Sequence, residues 1–393
     1  MNATPRISAT PAFAAPERSH LRIGYVALID SAPLIVAGEM NFGQRHGLTL
    51  ELCKQPSWAA IRDKLLSGEL DAAQTLYGMV YGVELGLGGP QADMAILMTL
   101  NRNGQAITVS NQLAEKLHAG QSLQSALGSL GRKPVFAQTF PTGTHAMWLN
   151  YWLAANEVHP LADIESVVIP PPQMPEALAQ GELDGFCAGE PWHAVAERNH
   201  SGKTIISTSQ IWPDHPEKAL ACRREFAVLY PNTTQALIRT MLDACQWLAD
   251  SNNKIRLSAT LAQPAYLNLA QDLILSRIAN DDLDTGSTAL PPRLPVRFFD
   301  EHGANYPLPA DGLWFLGQFH RWGLLKPTGQ WQTIVNQVCQ TEHYREAALQ
   351  LDLEAGPPAA GAVTFFDGRT WDGCDVIGYA ESFRIKGNFR GST

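Results

Sequence analysis

The chain has 393 residues, 45% hydrophobic and 17% charged, which is enough apolar material to bury a core and enough length for about two domains. Its net charge is −9 and its Lys and Arg residues never cluster beyond pairs such as Arg223–Arg224, which argues against a general binder of nucleic acid or of a membrane surface. The six cysteines (Cys53, Cys187, Cys222, Cys245, Cys339, Cys374) lack C-x-x-C or Cys/His ligand spacing, so neither a zinc site nor a redox pair is expected and the thiols read as reduced.

At the N-terminus, Pro5, Arg6, Ser8, Thr10 and Pro11 interrupt every apolar run of the length an export signal needs. No stretch elsewhere is apolar over the roughly 18 residues of a membrane span. Residues 1–20 therefore read as a flexible arm and the expected location is cytoplasmic.

LRIGYVALI (21–29) reads as a strand, followed by a helix around PLIVAGEMNFGQRHG, a strand LTLELCKQ (48–55), a helix 58–67 and a strand 71–76. The order returns with strand PVFAQ (134–138), helix 144–156, strand 166–170, helix 173–180 and strand 184–188. LLSGELDAA (65–73) and LAQGELDGF (178–186) mark the same place in the two rounds: a helix stopped by Gly, then Glu-Leu-Asp entering a strand. Two similar α/β lobes follow, 21–104 and 105–210, with parallel sheets whose ligands bind beyond the carboxyl ends of the strands. Residues 211–355 read as a helical return to the first lobe, broken at LPPRLPV (290–296) with further helix at 311–323 and 331–352. Residues 356–393 read as a linker and an apolar tail that docks on the body.

The loops after the strands hold the chemistry. KQPSW places the indole of Trp58 at a helix start, NRNGQAIT places the amide of Gln105 near the crossing between lobes, and DHPEKA supplies Lys218. In FPTGTHAMWLNYW a loop opens into a helix whose first turn carries His145, with Gly143 and Thr144 offering backbone donors to an anion. The same residues also read as an ordinary capped helix, with Thr142 or Thr144 the cap and His145 on the surface. FCAGEPW adds Gly189 and Glu190 at a strand end. Each residue alone is as easily packing or surface; together they describe a pocket rich in donors and poor in acceptors.

KQPSWAAIRD, TFPTGTHAMWLNYWLAA, VIPPPQMPEALAQGELDGFCAGEPW and IWPDHPEKAL resemble the nitrate-binding proteins of ABC nitrate importers and their cytoplasmic relatives, the NasS-type nitrate/nitrite sensors, over residues 21–385. The resemblance implies a type II periplasmic-binding-protein fold with ligand between two lobes. It also implies nitrate held by Trp58, Gln105, His145 and Lys218, with Gly143, Thr144, Gly189 and Glu190 as further contacts or support, and no cofactor. Nitrate accepts hydrogen bonds and never donates them, so Lys218 suits it as the compensating charge; the related bicarbonate-binding proteins resemble a pocket with an acidic residue there. Glu190 then orients a donor.

The function implied is a cytoplasmic nitrate/nitrite sensor that sequesters an ANTAR-type, NasT-like RNA-binding antiterminator and releases it on ligand binding, itself touching neither nucleic acid nor membrane. The alternative is the solute-binding subunit of an ABC importer. An enzyme is the remaining class, because the same fold hosts pyrimidine-precursor synthases and Cys187 could act with His145, but FCAGEPW offers no evident oxyanion hole and the expectation is no catalysis.

Overall fold

A computed structural model describes residues 13–279, 292–359 and 361–388. Residues 1–12, which carry most of the export-signal reading, and the first two residues of LPPRLPV lie outside the described residues.

The strands in chain order are β1 His20–Val26, β2 Thr49–Gln55, β3 Ala72–Leu76, β4 Met94–Arg102, β5 Gln105–Ser110, β6 Val135–Gln138, β7 Glu165–Val168, β8 Gly185–Gly189, β9 Gly202–Ser207 and β10 Pro216–Arg223. They form two five-stranded sheets of matching order, β2-β1-β3-β10-β4 and β7-β6-β8-β5-β9. Two α/β lobes result. The sheets are mixed rather than parallel: β1 runs parallel to β2 and β3, and β6 to β7 and β8, but β10 is antiparallel to its neighbours and so is β5. The reason is geometric. A strand arriving from the other lobe starts at the cleft, where the parallel strands end, and must run the opposite way.

The Gly-Glu-Leu-Asp repeat does the same work twice. Gly68 and Gly181 end their helices at φ +78° and +75°, in the left-handed region that favours glycine. Leu70 and Leu183 are buried. Asp71 then accepts the backbone N–H of Arg22 at 2.8 Å, and Asp184 that of Val135 at 2.8 Å, so each aspartate pins a neighbouring strand. Arg18 and Arg132 pair with them at 2.8 and 2.7 Å.

Other segments follow from local chemistry. Residues 13–19, grouped with the N-terminal arm by sequence, lie against the first lobe, where the Glu17 carboxylate accepts from the N–H groups of Asn232 and Thr233 at the start of helix Pro231–Ala249. The expected helix 331–352 is two helices, Trp331–Val338 and Thr341–Leu349, because Gln340 leaves the helical path to donate its N–H to Ile96 of β4 at 2.9 Å. No helix among the described residues is long and apolar enough to cross a membrane.

The tail forms a short hairpin, Val363–Thr364 with Thr370–Trp371, and a helix Val376–Glu381. Phe365 stacks on Tyr151 of helix Thr144–Ala155 at 5.0 Å and on Trp314 of helix Pro309–Arg321 at 6.1 Å. The Tyr151 hydroxyl donates to Asp367 at 3.1 Å.

The chain crosses between the sheets at 103–104 and again at 208–215, and the two crossings are tied together. Asn103 donates its backbone N–H to His215 O at 3.1 Å and its side-chain amide to Asp214 at 3.2 Å. Gly104 sits at φ +100°, and a Cβ there would lie 2.5 Å from Val296 Cγ2. Gly104→Ala is therefore expected to lower stability by about 1–3 kcal/mol, seen as an earlier denaturant midpoint at unchanged slope.

Candidate functional site

The site grows from an irregularity in β10. Neighbouring residues of a regular strand face opposite sides of the sheet. The β10–β4 register shifts between Pro216 and Lys218 and again between Lys218 and Ala219, so Glu217 and Lys218 both turn toward the cleft. Lys218 Nζ lies 2.7 Å from Glu217 Oε1 and 2.8 Å from Asp30 Oδ2, and all three side chains are buried. This places Lys218 on a strand, not in the loop expected for DHPEKA.

Asp30 lies just past β1 and is held there by Gln74 of β3, which donates to its Oδ1. Glu217 is held by the other lobe: Thr144 donates to its Oε1 at 2.5 Å and the Trp148 indole to its Oε2 at 3.2 Å. The first two turns of helix Thr144–Ala155 therefore clasp a carboxylate of β10 across the cleft. Burial raises the carboxyl groups of Asp30 and Glu217, against the lowering effect of Lys218. Burial alone would lower the Lys218 ammonium, but its two carboxylate partners outweigh it and hold the group above its ordinary value. The expected pocket poor in acceptors is thus corrected. An ammonium and two carboxylates sum to −1 when all are ionised.

Trp58 begins helix Trp58–Ser67, whose preceding Ser57 accepts the N–H of Ala60. Its indole is buried, its Nε1 has no hydrogen-bond partner, and Lys218 Nζ sits 5.6 Å from the ring centroid. Gln105, buried at the start of β5, has its Nε2 3.5 Å from Asp30 Oδ2. His145 is wholly buried, which removes the surface reading, and neither Thr142 nor Thr144 caps the helix: the cap is Gly143, with no side-chain bond. Thr139 Oγ1 lies 2.6 Å from His145 Nδ1; with that hydroxyl donating, the ring proton sits on Nε2. Nε2 is 3.5 Å from Glu217 Oε1 but makes no hydrogen bond. Burial pushes the imidazole well below its usual range, with Lys218 and His215 adding to the effect, so it is neutral.

The four supporting residues divide. Thr144 reaches the cluster through its hydroxyl. Gly143 spends its N–H on Phe140 O at 2.8 Å and offers none to a ligand; a Cβ there would meet Leu76 Cδ1 at 2.5 Å, so glycine is what lets the helix start approach β3. Gly189 pairs with Gln105, and a Cβ on it would lie 3.2 Å from Asp30 Oδ2. Glu190 does not orient a donor of this cluster. Its carboxylate is engaged by Arg277 at 2.8 Å, Arg293 at 2.7 Å and His193 at 2.8 Å. Cys187 is buried in β8 and burial lifts its thiol well above the usual value, which keeps it protonated and no nucleophile.

Sequence reasoning missed Asp30, Glu217, Gln74, Thr139 and Trp148. Asp30 carried a signal, since it follows a strand. Thr139 carried the same signal, following β6 and standing six residues before His145, and Glu217 adjoins Lys218; Gln74 and Trp148 carried none, because their partners Asp30 and Glu217 are 44 and 69 residues away. Among the described residues, no group of three or more His, Cys, Asp and Glu side chains is arranged to hold a metal ion.

Two α/β lobes joined by paired crossovers, with a buried charged cluster between them, define the two-lobed architecture of the periplasmic binding proteins. Residues 14–262 match the NMT1-like family, and the chain belongs to it. It is 36% identical to the nitrate/nitrite binding protein NrtA of Synechococcus elongatus over 98% of this chain and 90% of that protein. It is 35% identical to the bicarbonate transport ATP-binding protein CmpC of the same species over 95% of this chain, spanning 56% of that longer protein. The crystal structure of the periplasmic nitrate-binding protein NrtA from Synechocystis superimposes with a TM-score of 0.87 at 32% identity, covering 95% of this chain and all of that one.

Proposed function

We propose that this chain is a receptor for a small planar monoanion, nitrate or nitrite, and that it serves as the solute-binding subunit of an ABC importer. The observation that carries the reading is a pair of buried ring N–H groups, Trp58 Nε1 and His145 Nε2, left without acceptors around the Lys218 ammonium and contributed by opposite lobes. A buried donor without a partner costs about 1–3 kcal/mol, and an acceptor-only anion would satisfy both. In this reading Trp58 and Lys218 hold the anion from the first lobe, Gln105 and His145 from the second, and the positive end of the helix Thr144–Ala155 dipole adds to the field. The similarity to NrtA supports an anion of the nitrate class, and the cation of Lys218, suited to an acceptor-only ligand, supports nitrate over bicarbonate. The partners would be a permease and an ATP-binding subunit. Nothing in this role requires catalysis.

Calorimetry with nitrate, nitrite, bicarbonate and sulfate tests the proposal. One nitrate or nitrite per chain is expected, with sulfate weak because no second cation is free in the cluster. Trp58→Phe keeps the ring and removes the donor, so nitrate affinity should fall roughly tenfold, equivalent to about 1.4 kcal/mol. Absence of binding by both nitrate and nitrite would overturn the reading.

A second role for the same pocket, the cytoplasmic sensor, is favoured by one observation: all six cysteines are unpaired, as suits a reducing compartment. Recovery of the chain from the cytoplasm bound to an ANTAR-type RNA-binding antiterminator, in a complex that nitrate dissolves, would establish that role. Recovery with a permease and an ATPase would establish the importer.

A further inference from the structure

An anion receptor that already surrounds its one lysine with two carboxylates has a charge problem. Lys218 gives one N–H to Asp30 Oδ2 and one to Glu217 Oε1, leaving one for a ligand. Glu217 accepts in addition from Thr144 and Trp148, and Asp30 from Gln74. With both carboxylates ionised and His145 neutral, the cluster carries −1 before an anion arrives. Adding nitrate would bring it to −2 in a site sealed from water, where like charges repel strongly. We propose that nitrate or nitrite binding takes up about one proton, held within the cluster of Asp30, Glu217, His145 and Lys218. This rests on the nitrate/nitrite reading of the site.

The geometry provides a place for the proton. His145 Nε2, which carries the ring proton, faces Glu217 Oε1 at 3.5 Å without a hydrogen bond, so a proton taken up on the Glu217 carboxyl leaves that ring N–H free for the anion while the imidazole stays neutral. Asp30, from the turn after β1, is the other acceptor. The remaining groups facing the cluster are accounted for. His215 lies 3.8 Å from Glu217 Oε2, bonds through Nε2 to Thr208, and is pushed down to about 3 by burial, so it stays neutral. Cys187 of β8 is held protonated. Glu190, beyond β8, is matched by Arg277 and Arg293, with His193 beside it, and Arg102 is matched by Asp311. Burial moves the Asp30 and Glu217 carboxyl groups toward the protonated form, in the direction the uptake requires.

Uptake fixes the sign of the pH dependence. Affinity is greatest at low pH and falls by up to tenfold per unit as pH rises from the free-state pKa of the cluster toward its bound-state value. Nitrate brings no proton of its own, whereas bicarbonate carries one and should need less from solution.

The test is calorimetry of the full chain with potassium nitrate at one neutral pH, in two buffers of different ionisation enthalpy. Heats that differ by the uptake of about one proton per nitrate support the proposal. Equal heats with binding intact overturn it and leave the anion reading standing, and absence of binding in both buffers overturns both. Asp30→Asn makes the cluster neutral before the anion arrives, so uptake should fall below half and the pH slope should flatten. If that variant does not fold, Glu217→Gln serves the same purpose. Undiminished uptake in the folded variant would place the proton outside the cluster and overturn the assignment.

Discussion

Lys218→Met is expected to destabilise the protein by about 3–5 kcal/mol at neutral pH, because it leaves two buried carboxylates facing each other without their shared cation. Methionine fills most of the lysine stem, so the loss is one of charge rather than volume. The sign with pH is fixed by the carboxyl groups. Burial already raises both, and without the ammonium that lowers them they rise further, so protonation at mildly acid pH removes the repulsion. Urea unfolding of variant and wild type at neutral pH and near pH 5 should show the gap shrinking as pH falls. A gap that is equal at both would mean Lys218 supports the fold by packing alone. Adding Glu217→Gln to Lys218→Met should recover part of the stability, because one carboxylate is gone, but not nitrate binding. Loss of the cation from the anion site is expected to cost on the order of 2–5 kcal/mol of affinity.

Glu190→Ala should produce a loss of similar size, about 3–5 kcal/mol, for the mirror-image reason. Here one buried carboxylate answers two guanidinium groups, Arg277 at 2.8 Å and Arg293 at 2.7 Å, with His193 at 2.8 Å. Arg277 belongs to helix Gln271–Ala279 and Glu190 follows β8, so the pair ties the C-terminal part of the chain to the second lobe. Arg198 and Asp272 repeat that connection at the surface at 2.8 Å, where solvent makes it worth far less. Thermal unfolding of Glu190→Ala should show a marked drop in midpoint, while Asp272→Ala should scarcely move it. Comparable drops would mean that burial gives the Glu190 cluster no special weight.

Much of the fold was legible in local chemistry. Helix Trp58–Ser67 falls where the sequence places it because Ser57 caps one end and Gly68 stops the other. The repeated Gly-Glu-Leu-Asp marked equivalent strands because its glycine and aspartate each do one definable thing. The strands β4, β5 and β10 were harder. Met94–Arg102 is buried along its whole length, which erases the alternation of a half-exposed strand, and β10 opens on Pro-Glu-Lys, which reads as a surface turn. The candidate site was legible one donor at a time, since Trp58, Gln105 and His145 stand at element starts. Its acidic half was not. Glu217 should face away from Lys218 in any regular strand, and only a register shift that depends on pairing with β4 brings them to one side. Glu190 misled for a related reason: its arginines come from nearly 90 and just over 100 residues further along the chain.

The tied crossings also divide the cleft by how far its parts can travel. β5 and β10 begin directly after them, so Gln105 and Lys218 sit beside the pivot of any lobe rotation, whereas Trp58 and His145 open helices that belong to separate lobes. A rotation that parts the lobes changes the first pair's separation little and the second pair's a great deal. On the proposed anion-receptor reading, an arriving anion would meet the ammonium and the amide in almost their final places and gain the two ring N–H groups only as the lobes close, so that residence time would be set by the swinging pair and recognition of charge by the stationary one.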